Sequence, residues 1–176
     1  ENFTVIDAFS QVVRLGEALA QHGRLSNAAM DRTLSALRVC ADKLVRRNVH
    51  LARSVATEAC RRADNGEAFI ERVRAETGIA LDIISAREEA RLAVLGCHVL
   101  LEPGLGPAMI FDIGGGSTEL SWVRPRDVKA SGLNPPILAW GSAPLGVVTL
   151  AEEESEPEHG REAWFDELVA RLVASL

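Results

Sequence analysis

The stretch 108-AMIFDIGGGSTELSWV-123 decides how this chain is read. Four apolar residues run into Asp112, and three glycines come next. Ser117, Thr118 and Glu119 then lead into a second run that alternates apolar and polar. Alternation of period two marks a strand, so the stretch reads strand, turn, strand. A two-residue hairpin turn does not need three glycines. Glycine serves where φ is positive or where another group approaches the backbone closely. Successive N–H groups in such a turn form a concavity that binds anions. Gly114, Gly115 and Gly116 fit that use, and Ser117 and Thr118 add hydroxyl donors. Asp112, beside the turn, would repel a phosphate unless a cation stood between them. Mg²⁺ held by one or two carboxylates plus phosphate oxygens resolves the conflict, with Glu119 as the second carboxylate. The plain alternative is a hairpin with a polar tip; the convergence of donors and acceptors favours a site. Two commoner glycine motifs do not fit. There is no GxxxxGK[ST], and the residues after the glycines alternate like a strand instead of opening a helix.

Bulk properties agree with a globular chain. Its 176 residues are 47% hydrophobic and 25% charged, values usual for soluble domains. A chain of this length buries roughly 70% of its unfolded surface. The net charge of −6 argues against nucleic acid or an anionic membrane as partner. Most of the basic residues are arginine, either as oxyanion forks or as plain compositional bias. Cys40, Cys60 and Cys97 are odd in number and lack a CxxC spacing, which reads as reduced thiols in a cytoplasmic protein. No apolar run approaches the roughly 18 residues of a membrane span. The chain begins with Glu1, which suggests a fragment or a processed form.

Along the chain, a short alternating run and 14-RLGEAL-19 lead to a polar turn around Gly23. Ser26 is placed to cap a helix whose face is Met30, Leu34, Leu37, Ala41 and Leu44, closed by Asn48. Residues 49-VHLARSVAT-57 read as a strand. The segment 66-GEAFIERVRAETG-78 reads as a helix stopped by Gly78, and 79-IALDII-84 as a strand. A helix starts at Ser85, where Ser85 and Glu88 have capping-box spacing, and ends before Pro103 and Gly104. The continuously apolar 108-AMIF-111 is expected to be central and buried on both faces. A loop with Pro125, Gly132, Pro135 and Pro136 leads to a strand at 137-ILAWGSA-143. After the acidic linker 152-EEESEPE-158 comes a helical stripe of Phe165, Leu168, Val169, Leu172, Val173 and Leu176. The alternation through residues 26–111 predicts an α/β fold around a mostly parallel sheet, made mixed by the later hairpin.

Two other constellations carry charge. In 88-EEAR-91, Glu88 reads as the capping partner and Glu89 lies on a different face. A carboxylate there complements the helix dipole, or takes a proton from water if the fold brings it to the glycine turn. In 57-TEACRRADN-65, Arg61 or Arg62 faces an anionic substrate, or the two form a solvated pair.

Taken together, 55-VATEACRRADNGEAFIERVRAETG-78, 83-IISAREEARLAVLG-96, 111-FDIGGGSTEL-120 and 144-PLGVVTL-150 resemble the exopolyphosphatase / guanosine pentaphosphate phosphohydrolase (Ppx/GppA) family. The resemblance runs from about Val13 to Leu150. It implies a ribonuclease-H-like α/β fold of the actin-like ATPase superfamily, with mixed sheets, flanking helices and a cleft between two domains. It implies Mg²⁺-dependent hydrolysis of terminal phosphoanhydride bonds of polyphosphate, or of guanosine pentaphosphate, with guanosine tetraphosphate as a further ligand. By the same resemblance Glu89 is the base for water, and Asp112 and Glu119 are the metal-associated acids. Gly114, Gly115, Gly116, Ser117 and Thr118 are the phosphate loop, and Arg61 contacts phosphate. Residues 1–85 match the remainder of domain I, without its first phosphate loop, and residues 86–176 match the beginning of domain II. The fold is therefore expected to be incomplete at both ends, with little or no activity in this chain by itself. The resemblance leaves a homodimer open. Competing readings are a superfamily kinase or ATPase and a non-catalytic alarmone-binding module.

Overall fold

The computed structural model describes residues 4–102, 106–125, 127, 136–154 and 156–175. The expectations at Pro103, Gly104, Gly132, Pro135 and Leu176 lie outside the described residues. Two layers of α/β structure are built, each around its own apolar cluster.

The first layer starts with the short α1 (Leu19–His22) and the long α2 (Asn27–Arg46). Ser26 caps α2 as expected, its hydroxyl accepting from the Ala29 N–H at 3.1 Å. Asn48 adopts a left-handed conformation just after the helix, φ 53°. Strand β1 is only Ser54–Ala56, not the nine residues expected, because residues 49–53 find no partner strand. Two helices, α3 (Glu58–Arg62) and α4 (Gly66–Thr77), then return the chain to β2 (Leu81–Ile83). Strands β1 and β2 pair in parallel, with Val55 opposite Asp82. Gly78 ends α4 with φ 73°, as a left-handed C-terminal cap requires. Leu34 of α2, Cys60 of α3, and Phe69 and Val73 of α4 close the buried cluster. Burial raises the Cys60 thiol to about 11, with Glu67 a smaller cause, so it stays protonated and inert at neutral pH.

The second layer is α5 (Ala86–Cys97), continued by one 3₁₀ turn, packed on β3 (Ala108–Ile113), β4 (Thr118–Val123) and β5 (Ile137–Ala143). Ser85 caps α5, accepting from the Glu88 N–H at 3.2 Å. The expected capping box is only half formed, because the Glu88 carboxylate turns to Arg53 and Arg91 instead. Those two arginines hold its pKa down at about 2, with the Arg91 hydrogen bond the largest cause. Val94 of α5 packs on Ile110 and Val123.

Two expectations are corrected. The strands do not form one mostly parallel sheet: β1–β2 is parallel, and β3–β4–β5 is a separate antiparallel sheet. Nor is β3 central. It is the edge strand, and only one of its faces meets α5. Met109, Phe111 and Ile113 alternate onto the other face and are 45%, 57% and 63% exposed. An apolar run shows that a strand can be buried on both sides, not that it is.

The chain closes with α6 (Val147–Glu153) and α7 (Arg161–Ala174). The predicted apolar stripe lies along α7, where no residue is buried. No helix among the described residues is long and apolar enough to cross a membrane. Phe69, 1% exposed at the centre of the first cluster, tests that packing. Phe69→Ala is expected to cost about 3–5 kcal/mol in urea denaturation; a loss below about 1 kcal/mol would contradict the assigned core.

Candidate active site

Register places the turn. Asp112 pairs with Glu119 and Ile113 with Thr118, and the Gly114 N–H donates to the Ser117 carbonyl at 2.9 Å. Gly115 and Gly116 are therefore the two-residue tip. None of the three glycines has a positive φ. Close approach explains them instead. A Cβ on Gly116 would lie 3.1 Å from Glu58 Cγ, and one on Gly115 3.3 Å from Val148 Cγ2. The tightest contact comes from outside the turn: a Cβ on Gly146 would lie 2.4 Å from the Gly115 carbonyl carbon.

That contact orients the loop. The first N–H groups of a helix have no partner within it. Those of α6 find the loop: Val147 donates to the Gly114 carbonyl at 3.0 Å, and Val148 and Thr149 donate to that of Gly115 at 2.9 and 3.2 Å. In a trans peptide the N–H points opposite to the C=O. The N–H groups of Gly115 and Gly116 therefore point away from α6. With that of Ser117 they have no acceptor among the described residues, and such neighbouring free donors suit an anion. Thr118 is placed differently from expectation. Its hydroxyl donates to the Leu145 carbonyl at 2.7 Å, so it fastens the loop to the segment before α6. Ser117 also lines the cavity beside the turn.

Asp112 and Glu119 stand directly opposite on β3 and β4. Alternation puts Asp112 on the same face as Ile110, the side covered by α5. Glu119 is 2% exposed and accepts a hydrogen bond from the Ser142 hydroxyl at 2.8 Å. Like charges facing across a strand pair destabilise it, and a carboxylate this buried requires compensation.

The start of α5 delivers Glu89 to the same place. Burial raises its pKa, and so do the charges of Glu119 and, least, Asp112; Arg61 pulls it back. The fold has thus brought Glu89, Asp112 and Glu119 together, a meeting that spacing could not show. Arg61 is spent on protein groups. Its Nη1 donates to the Ile84 carbonyl at 2.6 Å, and its Nη2 to Glu58 Oε2 at 2.6 Å. Both nitrogens converge on Glu89 Oε2 at 3.2 Å. Glu89 Oε1 has no donor among the described residues. The guanidinium expected to bind phosphate here orients carboxylates.

A cavity of about 360 Å³ joins the glycine turn to Glu58, Glu89, Arg62 and Arg14. Sequence reasoning missed Glu58, Arg14 and Gly146. The i,i+3 spacing of Glu58 and Arg61 was the available signal for the first; Gly146 lies inside 144-PLGVVTL-150, one of the stretches that carry the family resemblance, and nothing local marked Arg14.

Comparison with known proteins decides the family. Residues 1–162 match the Ppx/GppA phosphatase family. The chain belongs to that family. Exopolyphosphatase 2 of Mycobacterium tuberculosis is 34% identical over 148 residues, 81% of this chain and 43% of that protein. Exopolyphosphatase 1 of Mycobacterium bovis is 30% identical over 118 residues, 67% of this chain and 34% of that protein. The chain thus spans less than half the length of these curated relatives. Among solved structures, an exopolyphosphatase-like protein superposes with a TM-score of 0.82 at 28% identity, covering 98% of this chain and 53% of that one. The Ppx/GppA family member of Aquifex aeolicus gives 0.66 at 29% identity, covering 92% and 50%. The fold is accordingly of the actin-like ATPase type within Ppx/GppA proteins.

In this Ppx/GppA chain the Gly146 contact is directly testable. Gly146→Ala drives a methyl into the Gly115 backbone and is expected to destabilise by about 1–3 kcal/mol in urea denaturation. Native stability would mean that α6 does not seat on the loop as described.

Proposed function

We propose that the protein carrying this chain is an exopolyphosphatase, hydrolysing the terminal phosphoanhydride bond of inorganic polyphosphate. The observation that carries this reading is one cavity shared by Glu89 and a loop whose N–H groups have no acceptor among the described residues, with Asp112 and Glu119 near enough for their charges to act on Glu89. The mycobacterial relatives named as exopolyphosphatases support it. Guanosine pentaphosphate offers the same type of bond, and its hydrolysis is the companion activity to assay.

The residues fit a divalent cation. Asp112 and the buried Glu119 face one another with one hydroxyl donor, that of Ser142, on Glu119. Among the described residues no group of three or more His, Cys, Asp or Glu could cage a metal. That donor set suits Mg²⁺, which is usually held by one or two carboxylates, waters and substrate phosphates. Bound there, Mg²⁺ would neutralise charge on the phosphate oxygens.

The protein groups divide the remaining work. The N–H groups of Gly115, Gly116 and Ser117 hold the terminal phosphate oxygens. Glu89 accepts the proton of the attacking water at Oε1 while Arg61 fixes Oε2. The water oxygen bonds to the terminal phosphorus as the P–O bond to the next phosphate breaks; orthophosphate is released, and the shortened chain departs with the bonding electrons. Phosphoryl transfer needs mainly such positioning and charge stabilisation. Arg14 and Arg62, on the cavity wall, supply positive charge for the remaining chain.

Phosphate release with Mg²⁺ tests the assignment in the full-length protein. Glu89→Gln is expected to lower kcat by about 10²–10⁴-fold, with KM little changed. An unchanged kcat would remove Glu89 as the base, and tight binding of polyphosphate with no native turnover would identify a binding module instead.

A further inference from the structure

We infer that Glu58 is a positioning residue: it braces Arg61 so that the guanidinium grips Glu89 by one oxygen and leaves the other free. The inference rests on Glu89 being the base. Glu58 opens α3, directly after β1, and its side chain is only 13% exposed. Two short hydrogen bonds hold the guanidinium, one from Nη2 to Glu58 Oε2 and one from Nη1 to the Ile84 carbonyl, both at 2.6 Å. Held this way, Nη1 and Nη2 both meet Glu89 Oε2.

An unbraced guanidinium prefers a different arrangement. Arginine and a carboxylate tend to pair as two forks with two parallel hydrogen bonds. Such a pair would occupy both oxygens of Glu89, including the one needed for the proton of water. Glu58 opposes that rotation by claiming Nη2 and by sharing the positive charge of Arg61. Arg62 Nε stands 3.7 Å from the other oxygen, Glu58 Oε1, as a long ion-pair contact. The stem of Glu58 also abuts the loop, at the place where a Cβ on Gly116 would come within 3.1 Å of Glu58 Cγ. One side chain therefore lies against both the phosphate loop and the arginine that holds the proposed base. An ordinary surface i,i+3 ion pair contributes little and would not engage a third group on another helix. Here Arg61 joins α3 to α5.

The test compares the native full-length protein with Glu58→Ala, Glu58→Gln and Glu89→Gln, by phosphate release from polyphosphate and by crystallography of the Glu58 variants. Glu58→Ala is expected to lose about 10²-fold in kcat, the scale of a small misplacement, with little change in KM. Glu58→Gln keeps a weaker neutral hydrogen bond and recovers part of the loss, giving an intermediate kcat. The Glu58→Ala structure is expected to show Arg61 paired with both oxygens of Glu89. Native kcat in Glu58→Gln overturns the inference even if Glu58→Ala fails to fold. A change in KM alone also overturns it, by making Glu58 a ligand contact. Full turnover in Glu89→Gln overturns the base itself, and the Arg61 geometry in the Glu58 variants then still decides the brace.

Discussion

Two carboxylates facing each other across a pair of strands are the constraint on which this site depends. The register of the β3–β4 hairpin forces Asp112 opposite Glu119. Glu119 is almost fully buried. A sheet gains nothing from that arrangement, since an apolar pair in the same positions would stabilise it. Retaining two acids there makes sense if a cation completes the pair, and the glycine tip beside them offers donors for the anion that accompanies it. With both bound, the charges would alternate in space: carboxylates, cation, phosphate, backbone N–H.

The remaining elements hold the acids and the glycine loop in place. Helix α6 draws the carbonyls of Gly114 and Gly115 towards its own N-terminus and so turns the opposite N–H groups outward. Gly146 permits the approach. Packing of Val94 on Ile110 and Val123 fixes α5 against the sheet, which sets where Glu89 arrives. Arg61 then ties α5 to α3 and to the end of β2 through Glu89, Glu58 and the Ile84 carbonyl. The site is built where the two layers meet, with the loop and acids from one layer and the brace from the other.

Local signals made much of this legible. The capping Ser26, the Gly78 stop and the alternation of 119-ELSWV-123 are each decided by neighbours in sequence, and each element formed where expected. So did the strand over Ile137–Ala143. Most of the failures concern partners distant in sequence. An apolar 108-AMIF-111 gives no information on which faces find a partner, so a strand that reads as central stands at the edge of its sheet. The triple glycine signalled a special backbone, but its cause is the nearness of Glu58, Val148 and Gly146, which only the fold reveals. The half-formed capping box at Ser85 failed because Arg53 and Arg91 compete for Glu88. Glu58 stands inside a stretch marked by its arginines. Its own role is invisible there, because it is defined by a contact to Arg61 that in turn reaches Glu89 on another helix.

The central proposal is that a divalent cation binds Asp112 and Glu119 beside the glycine turn. Anomalous diffraction from crystals of the full-length protein soaked in Mn²⁺, a substitute for Mg²⁺ visible by its own scattering, tests it most directly. The account predicts one anomalous peak within coordination distance of the Asp112 or Glu119 carboxylate, absent in Asp112→Asn crystals. No peak there, or a peak that persists unchanged in the variant, would contradict it.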